Sequence, residues 1–131
     1  MSHLHEKEIL TCVAAPKPIG PYSVAVKVSH LIFLSGQLGL LPQSGNLVEG
    51  DIKEQTRQVM ENIKNILEEN HSSLDSIIKT TVFLKNMIDF AAFNEVYGGF
   101  FKIDPPARST VQVAALPKDG LVEIEVVASA D

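Results

Sequence analysis

The sequence predicts an α+β fold: one mostly antiparallel sheet of about six strands, with two helices on one of its faces. Two kinds of pattern predict it. Several short stretches are rich in β-branched residues, most of them alternating apolar with polar side chains as strands do. Two longer stretches space their apolar residues at three and four, as helices do. The elements follow one another in the order β-β-β-α-β-α-β-β.

Residues 7–12 suit a short first strand. Residues 14–22 hold Pro16, Pro18, Gly20 and Pro21 and cannot be helical, because proline lacks a donor and pushes its predecessor toward extended backbone. Residues 23–28 alternate Val24, Val26 and Val28 with small or polar residues, a second strand that turns at Ser29-His30. Residues 31–35 form a continuous apolar run, a third strand with both faces covered. A loop is expected over 36–50, with glycines at 36, 39, 45 and 50 and Pro42.

Asp51 followed by Glu54 has the spacing of a capping box and opens the first helix. Ile52, Thr56, Val59, Ile63 and Leu67, flanked by Met60 and Ile66, form its apolar stripe, and Asn70-His71-Ser72 ends it. Residues 77–84 are rich in β-branched side chains and read as a strand. Asp89 opens a second helix in which Phe90, Phe93, Tyr97 and Phe100 share a face, weakened near its end by Gly98-Gly99. Asp104-Pro105-Pro106 is expected to be extended. Residues 107–114 and 121–128 are two further alternating strands, joined by a turn around Pro117–Gly120.

This pattern carries a consequence for assembly. Leu31 and Phe33 point to one side of their strand, Ile32 and Leu34 to the other, and Val82/Leu84 and Phe83 divide likewise. Two helices cover one sheet face only. The second apolar face is expected to pack against other copies of the chain.

Composition bounds the function. The 131 residues suit a single domain spanning 1–131, with 45% hydrophobic and 21% charged residues, so the chain is globular rather than disordered. A net charge of −5 and the absence of Lys/Arg runs argue against non-specific nucleic-acid binding. Cys12 is the one cysteine, so no internal disulfide can form and a reducing compartment is expected. There is no bilayer-length apolar run, and the first residues lack the apolar segment of a signal peptide, so no membrane association and a cytoplasmic location are expected.

Common catalytic devices are missing from the sequence. His3, His5, His30 and His71 show no zinc-ligand spacing. Neither phosphate-binding glycine motif is present, and Ser35, Ser109 and Cys12 have no recognisable base partner. Two residues stand out instead. Arg108 enters a strand directly after Pro105-Pro106, so its backbone is well fixed, and a planar guanidinium held this way suits a carboxylate. A surface arginine paired to an acid fits the same pattern. Glu123 shares a face with Glu125, opposite Val122, Ile124 and Val126. Buried between subunits, it would have a raised pKa and could act as a base; in solvent it would be an ordinary surface glutamate. Tyr22 ends the proline-rich segment and Asn94 sits on the second helix beside its aromatic stripe; for both, packing or a local hydrogen bond is the simpler reading.

Ile19-Gly20-Pro21-Tyr22-Ser23, Phe33-Leu34-Ser35-Gly36-Gln37, residues 79–84, Phe93-Asn94-Glu95-Val96-Tyr97, Pro106-Ala107-Arg108-Ser109, Leu116-Pro117-Lys118 and Val122-Glu123-Ile124-Glu125 occur in this order. Together they resemble the RidA/YjgF family of reactive-intermediate deaminases from about residue 7 to 128. The resemblance implies a chorismate-mutase-like fold assembled as a homotrimeric barrel, with sites at subunit interfaces and no metal or organic cofactor. It implies hydrolysis of 2-imino acids or their enamine tautomers, such as 2-iminobutanoate and 2-iminopropanoate, to 2-oxo acids and ammonia. It further implies that Arg108 binds the substrate carboxylate and Glu123 positions the attacking water, with Tyr22, Ser35, Gly36, Asn94 and Thr110 lining the pocket. Thr110 stands where many members carry cysteine, Val24 where many carry glutamine, and Gly98-Gly99 replaces better helix formers. Two other readings are a non-catalytic regulator that binds a small carboxylate, and a ribonuclease or translation inhibitor, which the acidic balance disfavours.

Overall fold

A computed structural model describes residues 6–130. Its strands are β1 (Glu8–Leu10), β2 (Ala25–Val28), β3 (Leu31–Leu38), β4 (Ile77–Leu84), β5 (Ala107–Gln112) and β6 (Val122–Ser129); its helices are α1 (Ile52–Glu69) and α2 (Phe90–Phe100). The strands form one sheet in the order β1-β2-β3-β6-β4-β5. All neighbours are antiparallel except β4 and β5, which run parallel. Parallel neighbours need a crossover, and α2 supplies it. As a result β5 lies at one sheet edge and β1 at the other.

The helix stripe becomes the core. The Asp51 carboxylate accepts the Lys53 N–H at 3.0 Å and the Glu54 carboxylate accepts the Asp51 N–H at 3.1 Å, so the capping box is complete. Ile52, Thr56, Val59, Met60, Ile63, Ile66 and Leu67 are all buried. Each large apolar side chain among them contributes about 1.5–3 kcal/mol by leaving water. They meet Ile32, Leu34, Val82, Leu84, Val122, Ile124, Val126 and Ala128 on one sheet face. On α2, Phe93 and Tyr97 are buried, with ring centroids 5.2 Å apart, and Tyr97 lies 4.9 Å from Phe101.

The other face is open. Leu31 and Phe33 are 38% and 45% exposed. The pairings Ile9↔Val26, Val26↔Phe33 and Phe33↔Val127 set an apolar row across four strands of that face. The two-faced character expected of the strands is therefore present, and the helices cover only one side.

Several details differ from the sequence reading. The third strand does not stop at Ser35; it runs on to Leu38, with Ser35-Gly36 forming a bulge inside it. Gly36 there serves close approach to Glu123 rather than loop flexibility. Asp104 is not extended but left-handed, with φ of 50°. The following proline bars right-handed helical backbone, and aspartate tolerates the left-handed alternative at the turn leaving α2. Asp89 sits at the start of α2 without capping it; the short turn at Met87–Asp89 is capped by Asn86, whose side chain accepts the Ile88 N–H at 3.0 Å. β1, β2 and β5 are shorter than expected. His3 and His5 lie outside the described residues.

Candidate active site

The sequence-predicted residues fall into two groups. One surrounds a cleft of about 390 Å³ on the open side, lined among others by Lys17, Tyr22, Ser35, Gly36, Glu123 and Glu125. The bulge shapes it. Leu34 pairs with Val126 and Gln37 with Ile124, so three steps along β3 match two along β6. The bulge is held by the Ser35 N–H donating to Val24 O at 3.0 Å, Ser35 Oγ donating to Ser23 O at 2.6 Å, and Gln37 Nε2 donating to Ser35 O at 3.3 Å. Gly36 then lies directly against the Glu123 side chain. Tyr22 closes the proline-rich loop, its N–H donating to Gly20 O at 2.9 Å and its hydroxyl accepting the Ile19 N–H at 3.3 Å.

Glu123 is half-buried here. Desolvation, reinforced by the nearby charge of Glu125, pushes its pKa above the ordinary glutamate value. A carboxylate in that state is a better proton acceptor than one in water.

The second group gathers at β5 and α2. The Arg108 guanidinium lies over three rings of α2, 5.0 Å from the Tyr97 centroid and 5.6 Å from those of Phe90 and Phe93. Among the described residues no acid pairs with it, whereas Lys53 pairs with Glu95 and Lys85 with Asp119. The edge-strand arginine paired to a surface acid is thus not what forms. Thr110 stands two residues further on the same strand face, and Asn94 lies on α2. Thr110 Oγ1 and Asn94 Oδ1 are buried polar atoms without a hydrogen-bond partner. Orphans of this kind are rare.

The two groups do not meet within one chain. Arg108 pairs with Thr80, whose side chain is buried on the helix side of the sheet; Glu123 pairs with Phe83, three residues along β4 and so on the opposite side. Arg108 and Thr110 on β5, and Asn94 on α2, therefore lie on the helix side of the sheet, while Tyr22, Ser35, Gly36 and Glu123 surround the cleft on the open side.

The family model described as endoribonuclease L-PSP matches residues 12–130. The chain belongs to the RidA/YjgF family. A "RutC family protein" of Pyrococcus abyssi is 53% identical over 93% of this chain and 96% of its own length. A mouse protein named 2-iminobutanoate/2-iminopropanoate deaminase is 43% identical over 93% of this chain and 90% of its own. Among solved structures, the yeast protein YEO7 superposes with a TM-score of 0.93 at 44% identity, covering 96% of this chain and all of that one. The RidA/YjgF resemblance seen in the motifs is thereby established, and with it the α+β architecture.

Among the described residues of this RidA/YjgF chain no three His, Cys, Asp or Glu side chains form a metal-binding group, and no helix is long and apolar enough to cross a membrane. Sequence reading missed the role of Gln37, which holds the bulge, and the contact of the aromatic stripe with Arg108. The stripe itself was visible; its target was not, because it lies across a crossover.

Proposed function

We propose that the protein hydrolyses 2-imino acids and their enamine tautomers to 2-oxo acids and ammonia, at sites completed between copies in a homotrimer. One observation carries this reading: an arginine without an acid partner and a glutamate of raised pKa stand on opposite faces of one sheet. Each face holds half of what imine hydrolysis requires. The uncovered apolar row through Phe33 and Val127 gives the copies a surface on which to join. The deaminase name of the mouse relative supports the reaction type.

The chemistry follows from the groups. A 2-iminium carboxylate is electrophilic at C2. Arg108 of one copy clamps the carboxylate through two N–H donors, which selects 2-imino acids over simple imines. Glu123 of the neighbour takes a proton from water as its oxygen bonds to C2 and the C=N π pair moves to nitrogen. Glu123 returns that proton to the nitrogen and then takes the hydroxyl proton as the oxygen lone pair re-forms C=O; the C–N bond breaks with its electron pair on nitrogen, and ammonia leaves with the 2-oxo acid, picking up the proton from Glu123 as ammonium. Asn94 Oδ1 and Thr110 Oγ1 supply unpaired acceptors at the Arg108 side.

The endoribonuclease description fits this cleft poorly. Glu123 and Glu125 line it and would repel a phosphate backbone. The test couples the protein to a threonine dehydratase and follows 2-oxobutanoate while semicarbazide competes for the imine. Expected is faster 2-oxobutanoate formation and less semicarbazone, lost in Arg108→Ala. Full activity in that variant would overturn the assignment, and 2-oxobutanoate binding without turnover would turn it into a sensor.

A further inference from the structure

We infer that Phe90, Phe93 and Tyr97 are positioning residues for Arg108: three rings, rather than an acid, hold its guanidinium ready for a carboxylate. The inference rests on the carboxylate-binding role proposed for Arg108 above.

An arginine on an edge strand has two common ways to become ordered. It can pair with a carboxylate, or it can lie on aromatic faces. An internal carboxylate would fix the side chain but occupy its paired N–H donors, and an incoming carboxylate would have to displace it. Ring faces attract the cation through their quadrupole and leave the N–H edges unused. Here Phe90, Phe93 and Tyr97 lie 5.6, 5.6 and 5.0 Å from the guanidinium carbon. The rings are themselves fixed. Phe93 is fully buried, and Tyr97 is buried with its hydroxyl hydrogen-bonded to Thr80 Oγ1 at 2.8 Å. Thr80 is also the residue that Arg108 faces in the β4–β5 register. One strand pair therefore carries both the arginine and the anchor of its ring bed. Phe90, Phe93 and Tyr97 recur at three and four along α2, so the sequence stripe that packs the helix also builds the cradle.

The role predicts effects that mere packing would not produce. In full-length protein, the Arg108 Nε–H proton resonance is expected upfield of free arginine, shifted by the ring currents, and this shift should shrink in Phe93→Leu, where two of the three rings remain. Binding of 2-oxobutanoate, followed by calorimetry, should weaken about three- to ten-fold in Phe93→Leu and Tyr97→Leu, and clearly less in Tyr97→Phe, which keeps the ring and loses only its anchor to Thr80. Thermal unfolding and mass confirm that each variant is folded and assembled; Phe90→Leu, at the rim of the core, serves if Phe93→Leu is not. Wild-type affinity in a folded Phe93→Leu protein whose upfield shift has shrunk would overturn the inference. Equal effects of Tyr97→Phe and Tyr97→Leu would overturn it too. A wild-type protein that binds 2-oxobutanoate through Arg108 but hydrolyses no imine would retire the deaminase reading and leave the ring cradle standing.

Discussion

Gly36 packs so closely on Glu123 that a Cβ at residue 36 would lie 2.7 Å from the Glu123 carboxyl carbon. No real side chain sits at that distance, so the glutamate fills the space a larger residue would take. Gly36→Ala should swing Glu123 off its present position. We expect deaminase kcat/KM to fall by at least about ten-fold while the protein stays folded, because displacement of a base costs rate steeply. Steady-state kinetics with far-ultraviolet circular dichroism as the folding control would check it.

The raised pKa of Glu123 has two opposite consequences with pH. As a base it must be ionised, so kcat/KM should rise through a pKa above 4.5 and then level. For stability the sign reverses. Burial favours the protonated form in the folded state, so its contribution is full below the unfolded pKa and is lost as pH rises through the folded one. Glu123→Gln should therefore abolish activity yet melt no lower than wild type at pH 7. A pH–rate profile and thermal melts at several pH values read the two effects separately.

Asn62, fully buried on α1, ties the end of β3 to the helix. Its Nδ2 donates to Leu38 O at 3.2 Å and Leu40 O at 2.9 Å, and its Oδ1 accepts from Gln58 Nε2 at 2.9 Å. Asn62→Ala should destabilise by about 2–3 kcal/mol, from two carbonyls left unpaired and a small cavity. Asn62→Asp should cost more near pH 7, because a buried carboxylate would face those same carbonyls. Urea unfolding at fixed protein concentration would rank the two.

Phe33 tests the open face. It stands 45% exposed in the apolar row between Val26 and Val127. Phe33→Glu adds charge where copies are proposed to meet. Light scattering should give the mass of three chains for wild type and a smaller mass for the variant, with deaminase activity falling alongside. A single-chain mass for wild type at micromolar concentration would remove the basis for shared sites.

Much of this was legible in the residues because it depended on local periodicity. The α1 stripe, the Asp51–Glu54 box and the alternation of β6 are short-range patterns, and each formed as read. What was not legible depended on distant partners. Gln55 and Asn62 are polar, yet they lie within the buried stripe, because Leu121 N–H and the β3 carbonyls need acceptors and donors there. Their place at three and four from Ile52, Val59 and Ile66 was the available clue. The Ser35-Gly36 bulge was hidden by a composition that resembles a loop. The opposed placement of Arg108 and Glu123 needs the strand order, which no pattern along the chain states: β6 enters the sheet beside β3 and β4, while β5 is left at the edge.

That opposed placement also has a genetic consequence. If each site borrows Arg108 from one copy and Glu123 from the next, two different dead chains can repair one another. An Arg108→Ala chain still offers a sound glutamate, and a Glu123→Gln chain a sound arginine. Co-expressed in equal amounts and assembled at random, they should recover about a quarter of wild-type activity, the chance that a junction draws its arginine from one and its glutamate from the other. For such a protein a null allele is a property of the pair, not of the gene copy alone.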